Sequence, residues 1–148
     1  MKTKSLIYAS ILLAVIGIGS CSKSSTNTMP SNENFAATIN GASETPVNAS
    51  TATGKATFTY NPNTYVLSGS VSFNGFTPTA AHIHKGAVGT AGDVVFALGS
   101  SMLTSPVSFT SLPLTTAQQA NLMANLYYVN FHSTLFPAGE IRGQLIKK

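Results

Sequence analysis

Between Gly54 and Phe73 apolar and polar residues alternate one by one, and that period limits what the chain can fold into. Ala56, Phe58 and Tyr60 stand against Lys55, Thr57 and Thr59. After Asn61-Pro62-Asn63 the chain returns with Tyr65, Leu67, Gly69, Val71 and Phe73 on one side. Successive residues of a strand point to opposite faces, so a period of two predicts two strands, each with one apolar face. The Asn-Pro-Asn step supplies turn chemistry between them. Phe35 to Asn40, broken at Gly41, reads as a first strand, and Ala80–His84, Asp93–Leu98, Val107–Phe109, Tyr127–Ser133 and Glu140–Ile146 read as further ones. A single helix interrupts them. Thr115-Thr116-Ala117-Gln118-Gln119 opens like a capping box, and residues 120–125 continue with helix formers that turn Leu122, Met123 and Leu126 towards the core. Short strands at regular spacing, divided by Gly and Pro turns, predict an all-β fold: an antiparallel Greek-key-like sandwich or barrel with one short helix near 115–125.

The single cysteine fixes how such a domain must be held together. Lys2 and Lys4 precede an apolar run from Leu6 to Ile18 that is short for a bilayer span, and Ile18-Gly19-Ser20-Cys21 resembles a bacterial lipobox. Residues 1–20 are therefore expected to be a lipoprotein signal peptide. Cleavage leaves Cys21 as the lipidated N-terminus, and several acyl chains together anchor a protein stably where one would not. The alternative is an ordinary secretory signal with an incidental cysteine. Residues 21–34 are rich in Ser, Thr and Asn without periodicity and read as a flexible tether, leaving 35–148 as one domain. With Cys21 lipidated, the folded body has no disulfide and no thiolate ligand, so its core must hold it. The expected location is extracytoplasmic, at the bacterial cell envelope, with the membrane as a partner through the lipid anchor.

Charge excludes one class of partner. The whole chain carries +4, and loss of Lys2 and Lys4 leaves six basic residues against Glu33, Glu44, Asp93 and Glu140. A net charge near +2, with no basic cluster beyond Lys147-Lys148, does not call for nucleic acid.

All three histidines fall in two short motifs, Ala81-His82-Ile83-His84-Lys85-Gly86 and Tyr128-Val129-Asn130-Phe131-His132. On a strand His82 and His84 share a face opposite Ile83, while His132 and Asn130 share a face opposite Val129 and Phe131. If Ile83, Val129 and Phe131 line the core, the three imidazoles lie outside it and converge once the two strands are close. Three converging imidazoles suit copper or zinc. The competing explanation is that the same side chains simply meet water or neighbouring loops. Asn130 and Glu140 are candidates to accept an imidazole N–H and orient the ligand. Glu140 can equally pair with Arg142 on an exposed strand face, where the pair is worth little. Tyr127, Tyr128 and Met102 are further ligand types, though packing accounts for them. The glycine-rich stretch 86–92 has no lysine in the position a phosphate loop requires, so turn chemistry explains it; Asp93 after it reads as a turn residue or an imidazole acceptor.

Four segments in order resemble the CHRD domain: Gly41-Ala42-Ser43-Glu44-Thr45-Pro46-Val47, Ala81-His82-Ile83-His84-Lys85-Gly86-Ala87, Tyr128-Val129-Asn130-Phe131-His132-Ser133, and Pro137-Ala138-Gly139-Glu140-Ile141-Arg142-Gly143-Gln144-Leu145. That domain is named for chordin, a secreted animal antagonist of bone morphogenetic proteins, and is widespread in bacterial secreted proteins. The resemblance spans about Phe35 to Ile146 and implies an extracellular binding module. More distantly, His82-Ile83-His84, the glycine-rich turn and His132 are similar to copper-zinc superoxide dismutases, in which such histidines ligate copper outside a Greek-key sandwich. That likeness would place copper on His82, His84 and His132, but the chain has no fourth histidine to bridge two metals and no disulfide. The function expected is a lipid-anchored CHRD-domain binding module with a copper or zinc site. Its rivals are a copper-dependent redox enzyme resembling superoxide dismutase and a metal-free surface module for adhesion to an extracellular protein, with no cofactor.

Overall fold

The alternating hairpin forms where the pattern places it. The computed structural model describes residues 29–148, with β1 at Glu33–Asn40, β2 at Thr53–Asn61 and β3 at Val66–Asn74. β2 and β3 pair antiparallel from Thr53↔Asn74 to Asn61↔Val66. The turn takes one residue more than expected: Tyr65 leaves the strand at a φ of 61° and is exposed. β1 begins at Glu33, two residues ahead of the expected domain start, and lies against β2. The leader, Cys21 and most of the tether fall outside the described residues.

The remaining elements are β4 (Ala80–Lys85), β5 (Val94–Ser100), β6 (Val107–Thr110), α1 (Thr116–Met123), β7 (Tyr127–His132), β8 (Ile141–Gln144) and the short β9 (Ile146–Lys147). The strands form one antiparallel sheet in the order β5-β4-β7-β8-β1-β2-β3-β6, with β9 added to β1. β1 and β8 meet only through Asn40↔Arg142, so the sheet folds there into two halves. Across the core Phe73 of β3 packs on Phe131 of β7 at 5.0 Å, and Phe96 of β5 on Phe109 of β6 at 5.6 Å. The result is a nearly closed sandwich, the fold class expected from the pattern.

Local chemistry explains two details. At Gly69, in the row Phe58–Gly69–Phe109, an added Cβ would lie 2.8 Å from the Phe58 ring, so the missing side chain lets the flanking aromatics approach to 6.1 Å. The helix opens on a full capping box: Gln118 N–H donates to Thr115 Oγ1, and Thr115 N–H donates to Gln118 Oε1. Leu122 is the helix residue buried completely, where its expected core face puts it. Among the described residues no helix is long and apolar enough to cross a membrane.

Candidate metal centre

β4 and β7 are neighbours, and their register pairs Ala80 with His132, His82 with Asn130, Ile83 with Val129 and His84 with Tyr128. Ile83, Val129 and Phe131 are fully buried in the core, so the strand alternation sends all three imidazoles to the opposite face. There the ring centroids stand 5.1 Å apart for His82–His132, 5.5 Å for His82–His84 and 6.1 Å for His84–His132. One ring nitrogen from each lies within 4.8 Å of the others.

That opposite face is only partly open to water: His84 is buried, while His82 and His132 are half-buried. Three loops roof it: residues 41–52, 86–93 and 133–140. Glu44, His84, Asn130, Glu140 and Arg142 are all buried beneath or within them. The first loop is stitched to the third by Asn48 Nδ2, which donates to the carbonyls of Gly139 and Glu140, and by Ser50 Oγ, which donates to Glu140 Oε1 at 2.8 Å. Gly139 sits at the seam with a φ of 146°, and a Cβ there would lie 2.6 Å from Glu44 Oε1 and 2.8 Å from Asn130 Nδ2.

The roof sets the tautomers. His84 Nδ1 lies 2.9 Å from the Gly92 carbonyl and His132 Nδ1 lies 3.0 Å from that of Pro137. A carbonyl only accepts, so both Nδ1 atoms carry the proton and both Nε2 atoms present lone pairs. Those two Nε2 atoms and His82 Nδ1 are buried and find no hydrogen-bond partner among the described residues. Leaving one buried polar atom unpaired costs roughly 1–3 kcal/mol, and here three share one cluster. A metal bonded at about 2.1 Å needs ligand separations of at most about 4.2 Å, so closing a spacing of 4.8 Å takes small movements of the rings. The donor set therefore fits a transition-metal ion.

Burial pushes the pKa of His82 down, helped by the neighbouring His132 and His84. Burial also pushes His84 down; its bond to Gly92 opposes this, while His132 and Arg142 reinforce it. Both rings are thus kept in the neutral form that a metal requires.

Several neighbours depart from expectation. The imidazole acceptors are the backbone carbonyls of Gly92 and Pro137. Glu140 instead accepts from Ser50, and Asn130 lies between His82 and Arg142 in the cross-strand row with its Oδ1 lacking a partner among the described residues. Neither Glu140 nor Arg142 is on an exposed face, and the ion pair between side chains found among the described residues joins Lys147 to Glu33. Tyr127 faces the core and Met102 is 91% exposed on the β5–β6 connection, so neither approaches the imidazoles. Asp93 is exposed in the loop just ahead of β5, and its carbonyl accepts from Lys85 N–H.

Sequence reasoning missed one assembly. The Tyr128 ring stacks on His84 at 5.0 Å, with the planes 11° apart, and the Arg142 guanidinium carbon lies 3.4 Å from the Tyr128 ring centroid. Arg142 Nη2 donates at 2.9 Å to both Ala87 O and Thr90 O, pinning the loop whose Gly92 carbonyl orients His84. The register places Tyr128 opposite His84, a relation that follows once β4 and β7 are paired but that no single segment announces.

Fold and site define an all-β domain carrying a three-imidazole cluster under a roof of its own loops. The family comparison agrees with the motif resemblance: the CHRD domain model matches residues 35–145, and the chain belongs to that family. Comparison with curated proteins and with solved structures returned no match.

Proposed function

We propose that this CHRD domain is a lipid-anchored, extracytoplasmic binding module of the bacterial cell envelope that takes one copper or zinc ion on His82, His84 and His132. The observation carrying the metal-binding reading is the convergence of three buried ring nitrogens without a hydrogen-bond partner among the described residues, two of them in tautomers set by Gly92 and Pro137. A bound ion would supply an electrophilic centre, while the Gly92 and Pro137 carbonyls orient His84 and His132 and burial favours the neutral form of His82 and His84. The anchor rests on the leader sequence and on Cys21 as the sole thiol.

Metal titration of the purified chain beside His132→Ala tests the site. Stoichiometric binding in the wild type, weakened at least about tenfold in the variant with an unchanged melting temperature of the metal-free form, is the expected result. Equal affinity in both would remove the site. Tight binding accompanied by rapid superoxide removal would move the protein to the redox class. No binding by either metal would leave an adhesion module.

A further inference from the structure

Building on the lipid-anchored reading above, we infer that one end of the sandwich lies against the lipid bilayer. It is the end where the chain enters, with Met29, Tyr65 and Leu112 exposed on it, and it holds loops 41–52 and 133–140 away from the membrane.

Antiparallel pairing sorts the loops into two ends. β1 starts at Glu33 opposite Tyr60, so the chain enters beside the β2–β3 turn, and loop 41–52 leaves β1 at the far end. β8 runs against β1 and β7 runs against β8, so β7 points the same way as β1 and loop 133–140 also lies at the far end. Three hydrogen bonds knit the near end together. Asn63 Nδ2 donates to the Pro30 carbonyl, Leu114 N–H to that of Tyr65, and Lys148 N–H to that of Asn34.

The chemistry of the near end suits a lipid surface. Leu112 is 85% exposed, Met29 71% and Tyr65 48%. Residues 60–66 and 110–126, which build the turn and the helix, contain no charged side chain, so laying them on a bilayer strips no ion of its water. Glu33 is paired with Lys147 at 2.9 Å, and Lys148 is exposed with the sign that anionic headgroups attract. Tyr65 stands at a φ of 61°, a conformation that a bulky residue seldom takes, and its side chain is left exposed. A tyrosine fits the headgroup layer, where its ring is buried and its hydroxyl stays wet.

Apolar exposure alone does not choose this end, because Val47, Met102 and Leu135 are exposed at the other. Reach does. Met29 follows Cys21 by eight residues, which span at most about 29 Å at full extension. β2 alone has nine residues and is about 26 Å long, before its turn and loop 41–52 are added. With the far end on the bilayer, Met29 would stand at or beyond the limit of that span. With the near end down, the same span is ample.

The test uses the full acylated chain, expressed with its leader and reconstituted in vesicles of phosphatidylethanolamine and phosphatidylglycerol. Acylation blocks Cys21, so Leu112→Cys and Leu135→Cys each offer one thiol for a nitrobenzoxadiazole label. A nitroxide carried on the lipid should quench the label at 112 at least about threefold more than the label at 135. Equal quenching at both, or more at 135, overturns the orientation. Absence of quenching at either position, in a chain that floats with the vesicles, overturns the contact and leaves the anchor standing. A chain that does not float, with Cys21 found unmodified by mass spectrometry, overturns the anchor and this inference with it. A label on Thr64→Cys reads what the side chains contribute: Tyr65→Ser with Leu112→Ser should lower its quenching at least about twofold. Unchanged quenching there overturns their role. If the double variant loses its far-UV circular dichroism, the comparison of 112 with 135 decides.

Discussion

Arg142→Met should unpin the roof of the site without leaving a hole. Arg142 is 2% exposed, donates twice at 2.9 Å to Ala87 and Thr90, and lies 3.4 Å over the Tyr128 ring. Its third bond, to Thr45 Oγ1 at 3.4 Å, is long enough to neglect. Two charge-assisted hydrogen bonds are worth roughly 1.5–3 kcal/mol each, and the cation–π contact roughly 0.5–2 kcal/mol. Three effects offset part of that sum. Ala87 and Thr90 are exposed, so water can reach their carbonyls; methionine keeps an apolar contact with Tyr128; and the guanidinium's own burial cost, visible as its lowered pKa, disappears. Taking about half the gross value leaves a net loss of about 2–4 kcal/mol. With a urea m-value of about 2 kcal/mol/M, the midpoint should fall by about 1–2 M. The chain has five tyrosines and no tryptophan, so far-UV circular dichroism and tyrosine fluorescence are the probes. Because the same loop carries the Gly92 carbonyl, metal affinity should fall about tenfold or more as well. Arg142→Lys should recover only part of either loss, since one ammonium cannot both fork to two carbonyls and lie flat on a ring. A midpoint within about 0.3 M of wild type would refute this account of the roof.

Ile83→Ala removes a side chain with no exposed surface and should cost about 2–5 kcal/mol by chemical denaturation; a negligible loss would mean the strand faces are reversed. Gly139→Ala forces a side chain into Glu44 and Asn130 at a φ of 146°, and should destabilise the domain by about 1–3 kcal/mol; unchanged stability would show that the seam is loose. For the metal-free chain, His82 and His84 have folded-state pKa values below the unfolded value near 6.5, so the unfolded chain binds more protons as pH falls below about 6.5. Stability should therefore drop from that pH down through the folded values and then level off, and His82→Gln should lose less over the window; an identical pH profile would contradict the burial of His82. Glu44, raised by burial above 4.5, acts in the opposite sense as pH rises through its folded value, which is why the comparison with His82→Gln is the reading that counts.

Much of the candidate site was legible in the chain because period-two alternation is a local property. It put Ile83, Val129 and Phe131 on one face and the three histidines on the other before any strand was paired, and Thr115 with Gln118 marked the helix start through chemistry three residues apart. The roof was not legible. Alternation says which face meets the core, but it is silent on whether the other face meets water or loops, so Glu140 and Arg142 read as surface residues when both are buried. The imidazole acceptors were hidden for a different reason: a backbone carbonyl is the same in every residue, and only the fold of residues 86–93 and 133–140 brings those of Gly92 and Pro137 within reach.

The sequence by itself determined the all-β class, the hairpin, the helix cap, the family and the shared face of His82, His84 and His132, since each depends on residue type and short spacing. Tertiary structure alone decided that β4 lies beside β7, that three loops close over the imidazoles, and that Arg142, Tyr128 and His84 stack. Those contacts join residues far apart in the chain, and they exist only because closing the sandwich brings its strand ends and loops together over one face.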